Sequence, residues 1–270
     1  MSGKQKKMAD KTEAVEKVAV EKDGVAGTEQ AVAQKRVLWV TGDKGGTGKS
    51  TLARGLAHTL LRSGLEVALF DGDPTNAQLF RYYKDSEGGV TRVNLKERTG
   101  ADEILVAMEE GDAPIILVDV PGGGSQILPR LEDEVGFLSA MAETGYLLTV
   151  VSAMSRIKDS VNQLKFMMET TEGYHAAHVA VKNLYYGEGN KFRFFDRSKT
   201  KQRLLDEGGV VLEMRDLYED TYERLDDHDL SFQRAIACES ELPKPDVRRV
   251  NQWLKHLKGQ VVSANGLLGL

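Results

Sequence analysis

One stretch constrains this chain more than any other. The apolar run Val37-Leu38-Trp39-Val40 leads directly into Gly42-Asp43-Lys44-Gly45-Gly46-Thr47-Gly48-Lys49-Ser50-Thr51. A short continuous apolar run suits a strand buried on both faces. The glycines lack a Cβ, so consecutive backbone N–H groups can turn inward and close on an anion. Leu52, Leu56 and Leu60 then repeat every four residues, the spacing of one helix face. A helix starting near Lys49 adds its positive end to the same loop.

Similar runs recur at Val67–Phe70, Ile115–Val118, Tyr146–Val151, His178–Val181 and Val210–Leu212. Helical stripes lie between them, as in Ile157, Val161, Leu164 and Met168. Strands alternating with helices predict an α/β fold: a doubly wound, mostly parallel sheet flanked by helices. Ligands of such sheets bind at the carboxyl ends of the strands, where the unusual loops of this chain fall. With 270 residues, the chain is long enough for one large core. No apolar run reaches the length of a membrane span, and the first residues lack the apolar centre of a secretory signal, so a cytoplasmic protein is expected. The single cysteine, Cys238, excludes a disulfide framework and a multi-cysteine metal site within one chain. It is expected as a buried thiol. Net charge is −5, divided into +2 over residues 1–36 and −7 over the rest, which disfavours a generally basic nucleic-acid binder.

The loop departs from G-x-x-x-x-G-K-[ST] in having Asp43 where the first glycine belongs, with Gly42 one step earlier. Lys44 precedes the paired glycines. K-G-G-x-G-K-[ST] is the deviant Walker A loop, and on it the chain resembles the ParA/MinD family of P-loop ATPases. The resemblance implies that Gly45, Gly46, Thr47, Gly48, Lys49, Ser50 and Thr51 bind ATP. Lys49 would meet the β- and γ-phosphates, and Ser50 would ligate Mg²⁺. It also implies that Lys44 reaches the nucleotide of a second subunit, so that charge arrives when a homodimer closes.

Two acidic strand ends complete the expected site. Asp71-Gly72-Asp73-Pro74 resembles the family's switch I segment, with Asp73 near the attacking water and Asp71 in the metal shell. Asp73 or Thr75 could instead cap a helix through Leu79 and Tyr82. Ile115 to Asp119 reads as a Walker B strand, its carboxylate placed for the metal shell. The triple glycine Gly122-Gly123-Gly124 should make the following loop mobile. No N-K-x-D guanine motif follows the later strands, which favours ATP over GTP. In similar ATPases an Asn at the end of the run His178–Val181 contacts adenine; Asn183 is the candidate here, with a plain turn residue as the alternative. The segment from Tyr185 to Phe195, with Lys191 and Arg193, reads as a lid packed on the sheet or as a partner surface.

The ends are expected to differ from the centre. Residues 1–35 read as a disordered tail, 36–260 as the ATPase domain and 261–270 as a flexible tail. Val250, Trp253, Leu254 and Leu257 share one face of a terminal helix. Arg248, Arg249, Lys255 and Lys258 would stand away from it, as possible non-specific DNA contacts. The resemblance leaves several roles open. The first is an ATP-dependent dimer that positions or partitions DNA, stimulated by a protein activator and possibly associated with the nucleoid. The alternatives are a conjugation or mobilisation accessory ATPase, a MinD-like membrane-cycling regulator, and a dethiobiotin-synthase-like ligase. The C-terminal residues make a poor membrane helix, so a membrane partner is not expected.

Overall fold

The computed structural model describes residues 34–42, 45–86, 88–264 and 266–270, the ordered part forming one unit over Ala33–Leu270. The expected tail over 1–35 lies almost wholly outside the described residues, as do Asp43 and Lys44.

Every expected apolar run is a strand. These are β1 (Arg36–Gly42), β2 (Val67–Asp71), β4 (Ile115–Asp119), β5 (Leu147–Met154), β6 (Ala177–Asn183) and β7 (Val210–Met214). A further two-residue strand, β3 (Thr91–Arg92), extends the edge beside β2. It carries no apolar run and is defined only by its pairing. The sheet order is β3-β2-β4-β1-β5-β6-β7, and every adjacent pair is parallel. The chain leaves β1 toward one side and later crosses to the other, so the loop after β1 sits where the winding reverses, the place such sheets bind ligands.

The central strands are buried on both faces because successive side chains point opposite ways. Leu38 and Val40 join one apolar cluster while Val37 and Trp39 join another. The first face is covered by α1 (Lys49–Leu61), α2 (Gln78–Tyr83), α9 (Glu219–Asp227), α10 (Phe232–Ala235) and α11 (Lys244–Val262). The second takes α3 (Asp102–Glu110), α4 (Ile127–Val135), α5 (Phe137–Glu143), α6 (Lys158–Thr170), α7 (Arg193–Asp196) and α8 (Lys199–Asp206).

Helix α11 packs directly on α1. A Cβ on Gly55 would fall 2.4 Å from Leu257 Cδ2 and 2.9 Å from Trp253, so the two helices approach at a residue with no side chain. The apolar stripe expected on α11 is the buried one. Ile157, expected within a helical stripe, is instead the exposed residue preceding α6.

Within the segment expected as a flexible tail, described apolar residues pack into the core. Val261, Ala264 and Leu268 are buried, and Thr149 Oγ1 donates to the Leu267 carbonyl at 2.8 Å. Gly269 lies against the start of β4, where a Cβ would fall 2.5 Å from Ile115 Cδ1. Cys238, expected buried, is exposed because it lies just past α10 in a surface turn. Among the described residues no helix is long and apolar enough to cross a membrane.

Candidate nucleotide site

The carboxyl ends of β1, β2, β4, β6 and β7 converge on one cavity of about 530 Å³. Gly45, Gly46, Gly48, Lys49, Ser50 and Thr51 form one wall, and Asp73, Asn76 and Gly122 face them. The far end is closed by Asn183, Tyr185 and the Met214–Leu217 turn. All the described loop residues expected to bind nucleotide line this cavity except Thr47, which is buried.

Two glycines have distinct reasons to be there. Gly48 has φ of 88°, and a Cβ on it would lie 2.4 Å from Asn183 Nδ2. Gly42 would place a Cβ 2.5 Å from Thr47 Oγ1 and 2.9 Å from Lys49 Cγ. The glycine displaced from the usual motif position thus answers a close approach one residue earlier. Helix α1 begins at Lys49, as expected, with its first N–H groups facing the loop. Lys49 is buried.

The two strand-end aspartates lie side by side, Asp71 opposite Asp119 in the β2–β4 register. Their chemistry differs. Asp71 Oδ1 accepts from the Asp73 amide at 3.1 Å and Oδ2 from the Phe80 amide at 2.9 Å. Asp71 therefore ties the start of α2 to β2, beside the metal-shell role expected of it. Asp73 caps no helix: Oδ1 accepts from Thr75 and Asn76 amides at 3.0 and 3.1 Å, closing the turn that faces the cavity. Both oxygens of Asp119 are buried with no hydrogen-bond partner. Burial, and then the neighbouring Asp71 charge, push its pKa up to about 7, while nearby Ser50 and Lys49 pull it down without Ser50 reaching hydrogen-bonding geometry. Burial likewise raises Asp71, against the amides of Phe80 and Asp73.

An orphaned buried carboxylate beside a serine at a helix start fits a hydrated Mg²⁺. Among the described residues no group of three or more His, Cys, Asp or Glu is arranged to hold a metal. Ser50 and Asp119 would therefore share such an ion with nucleotide oxygens and water.

The loop after β4, expected to be mobile, holds its glycines in distinct settings. Gly123 has φ of 71°, and Gly124 is packed where a Cβ would lie 2.8 Å from Val120 and 2.9 Å from Ile127. Only Gly122 faces the cavity. The glycines serve a tight turn.

Asn183 lines the cavity, and its amide is engaged with protein. Nδ2 donates to the Thr47 carbonyl at 3.0 Å, and Oδ1 accepts from the Tyr185 amide at 3.1 Å. Tyr186 donates its hydroxyl to the Gly46 carbonyl at 2.6 Å. The expected lid is half right: Phe192 and Phe195 are buried, whereas Tyr185 and Phe194 are exposed.

Several contributors carry no local signature. Tyr222 meets the Thr51 hydroxyl at 3.1 Å, and Trp253 Nε1 donates to the Arg215 carbonyl at 2.7 Å, fixing the turn that closes the cavity. Arg54 is fully buried, its guanidinium 3.5 Å from the centre of the Tyr82 ring and 5.1 Å from that of Phe232. The terminal cations separate as well. Arg248, Lys255 and Lys258 are exposed, whereas Arg249 pairs with buried Asp246 at 2.7 Å and stacks over Tyr218.

A parallel sheet with a glycine loop at its winding reversal and an aspartate closing the adjacent strand defines a P-loop nucleotide-binding protein. The CobQ/CobB/MinD/ParA nucleotide binding domain matches residues 38–263, and the chain belongs to that family of ATPases. It is 24% identical over 225 residues to Protein MobD of Acidithiobacillus ferrooxidans, spanning 83% of this chain and 95% of that one. Among solved structures it is similar to the septum site-determining protein MinD of Pyrococcus horikoshii complexed with Mg-ADP. The TM-score is 0.52 at 18% identity, over 87% of this chain and 98% of the other, which shows the shared fold.

Proposed function

We propose that this chain is a Mg²⁺-dependent ATP hydrolase that switches between a monomer and an ATP-bound sandwich dimer to position or partition DNA. The observation that carries the nucleotide reading is the cavity lined by the glycine loop, the α1 start and Asp73, with the buried Asp119 carboxylate beside its wall residues Ser50 and Lys49. Loop amides and Lys49 hold the triphosphate. Ser50 and Asp119 would hold the metal, which would supply positive charge against the phosphate oxygens. Asp73, on a turn facing the cavity, orients the attacking water. Lys44 of a second copy supplies the charge that completes the site, so turnover follows dimerisation and is slow until a protein activator promotes it. Exposed Arg248, Lys255 and Lys258 offer DNA phosphates a basic face.

A second reading of the cargo has specific support. Similarity to Protein MobD extends over most of both chains, which favours a mobilisation accessory ATPase using the same engine.

The test combines nucleotide binding, turnover and size. Wild type should bind ATP in preference to GTP only with Mg²⁺, and pair only with ATP. Lys49→Ala should lose binding. Lys44→Ala should keep binding yet lose pairing or hydrolysis. No Mg²⁺-dependent affinity in the wild type would sink the nucleotide reading; full turnover in Lys44→Ala would sink the trans-acting lysine. For the cargo, Arg248→Glu with Lys255→Glu should abolish ATP-dependent duplex DNA association.

A further inference from the structure

The ends of β5 and β6 carry a surface of which Tyr185 alone also borders the nucleotide cavity. Arg156 and Lys158 follow β5; Tyr185, Lys191, Arg193 and Phe194 follow β6, its neighbour in the sheet. All six are exposed, Tyr185 at 69% and Phe194 at 54%. The two segments meet: a Cβ on Gly187 would lie 3.6 Å from Arg156 Nη1 and 3.5 Å from Lys191 Cγ. Lys158 Nζ sits 5.3 Å from the centre of the Phe194 ring.

This composition is costly to expose without a partner. Two large rings stand in water, and four cations crowd together on a chain of net charge −5. Asp196, two residues after Phe194, is already taken by Lys182 at 3.0 Å and Lys201 at 2.7 Å. Burial alone would raise its pKa, yet those two lysines hold it below the usual carboxylate range. Glu188 and Asp159 also adjoin the cluster in the sequence. A polyanion with flat, unpaired rings satisfies both features at once, its phosphates on the cations and its bases on the aromatic faces. Duplex DNA has no free base faces, and an acidic peptide has no rings in register with its charges.

We propose that this face, between the ends of β5 and β6, binds single-stranded nucleic acid by stacking bases on Phe194 and Tyr185 while Arg156, Lys158, Lys191 and Arg193 track the phosphates. It is separate from the basic face of α11, and it does not rest on the ATPase reading. Tyr185 stacks on Tyr186 at 5.3 Å edge to face, and Tyr186 bonds the loop carbonyl of Gly46. A strand held here therefore lies one ring from the nucleotide loop.

Fluorescence anisotropy with a labelled oligothymidylate of about 20 nucleotides, with and without Mg-ATP, tests this. Wild type should bind it about tenfold more tightly than a duplex of equal length. Phe194→Ala should weaken single-strand binding about tenfold and leave duplex binding unchanged. Phe194→Trp should retain binding and show quenched indole emission on adding the oligonucleotide. Arg156→Ala with Lys191→Ala should make the salt dependence shallower by about 1.4 in log–log slope. Absence of single-strand binding in both nucleotide states, equal affinity for duplex, equal competition by polyglutamate, or an unaltered affinity in Phe194→Ala would each overturn the proposal.

Discussion

Asn183 donates from Nδ2 to the Thr47 carbonyl at 3.0 Å, joining the end of β6 to the glycine loop after β1. The same side chain accepts from Tyr185, so one amide fixes the loop and starts the turn that carries the exposed rings. Replacing it with Leu leaves a buried carbonyl unpaired, a loss of about 1–3 kcal/mol. Asn183→Leu should therefore lower the unfolding midpoint in urea and weaken nucleotide binding together. Unchanged nucleotide affinity would show that the loop holds its shape without this tie.

Gly48→Ala should remove nucleotide binding more completely than it removes stability. The residue is at φ of 88°, where an alanine is strained by roughly 1–3 kcal/mol. Its Cβ would also meet Asn183 Nδ2 at 2.4 Å, which pushes that tie away from Thr47. Calorimetric titration with ATP beside a thermal melt separates the two losses.

Asp119→Asn should stabilise the protein in the absence of nucleotide and abolish Mg²⁺-dependent ATP binding. The buried, partnerless carboxylate disfavours its charged form, and an amide of the same shape removes that charge. Stability by urea unfolding should rise while Mg-ATP affinity falls at least about tenfold. A fall in both would mean that Asp119 supports the fold through a contact other than its charge.

Acid should weaken the fold through two buried histidines. Burial lowers His178 to about 4 from 6.5, with Glu207 opposing and Arg203 assisting. His58 is lowered to about 4 by burial and by Arg62. Both are neutral in the folded state, so their contribution is complete above pH 6.5 and is lost as pH falls toward 4. The unfolded chain binds the proton first over that window, and each group contributes a slope of up to about 1.4 kcal/mol per pH unit. His178 Nε2 bonds Thr171 Oγ1 at 2.9 Å. His178→Gln can keep that bond, and should flatten the urea-stability profile between pH 4 and 6.5 without changing it at pH 8. An equally steep profile in the variant would remove His178 from the account.

Gly55→Ala should loosen the cavity from behind. Its Cβ would collide with Leu257 and Trp253, forcing α11 from α1 and costing about 1–3 kcal/mol. Trp253 also bonds the Arg215 carbonyl, so the turn closing the cavity should move with it. Indole fluorescence and nucleotide affinity should change together; a stability loss with unchanged affinity would confine Gly55 to packing.

The order of the chain's own signals determined much of this protein. Apolar runs marked six strands because a parallel sheet buries both faces, leaving no polar alternation to hide the pattern. The order of strand, glycine loop and helix was legible because consecutive residues of one turn form it, and Asp119 because it ends an apolar run. Tertiary structure decided everything that depends on distant residues meeting. It gave Asp71 to the backbone of Asp73 and Phe80 while leaving Asp119 without a partner, although both are aspartates at strand ends. It paired Arg249 with Asp246, exposed Cys238, and drew residues 266–270 onto the core. Spacing along a chain shows which face a side chain shares, but hydrogen-bond partners and burial are set by the elements packed across from it.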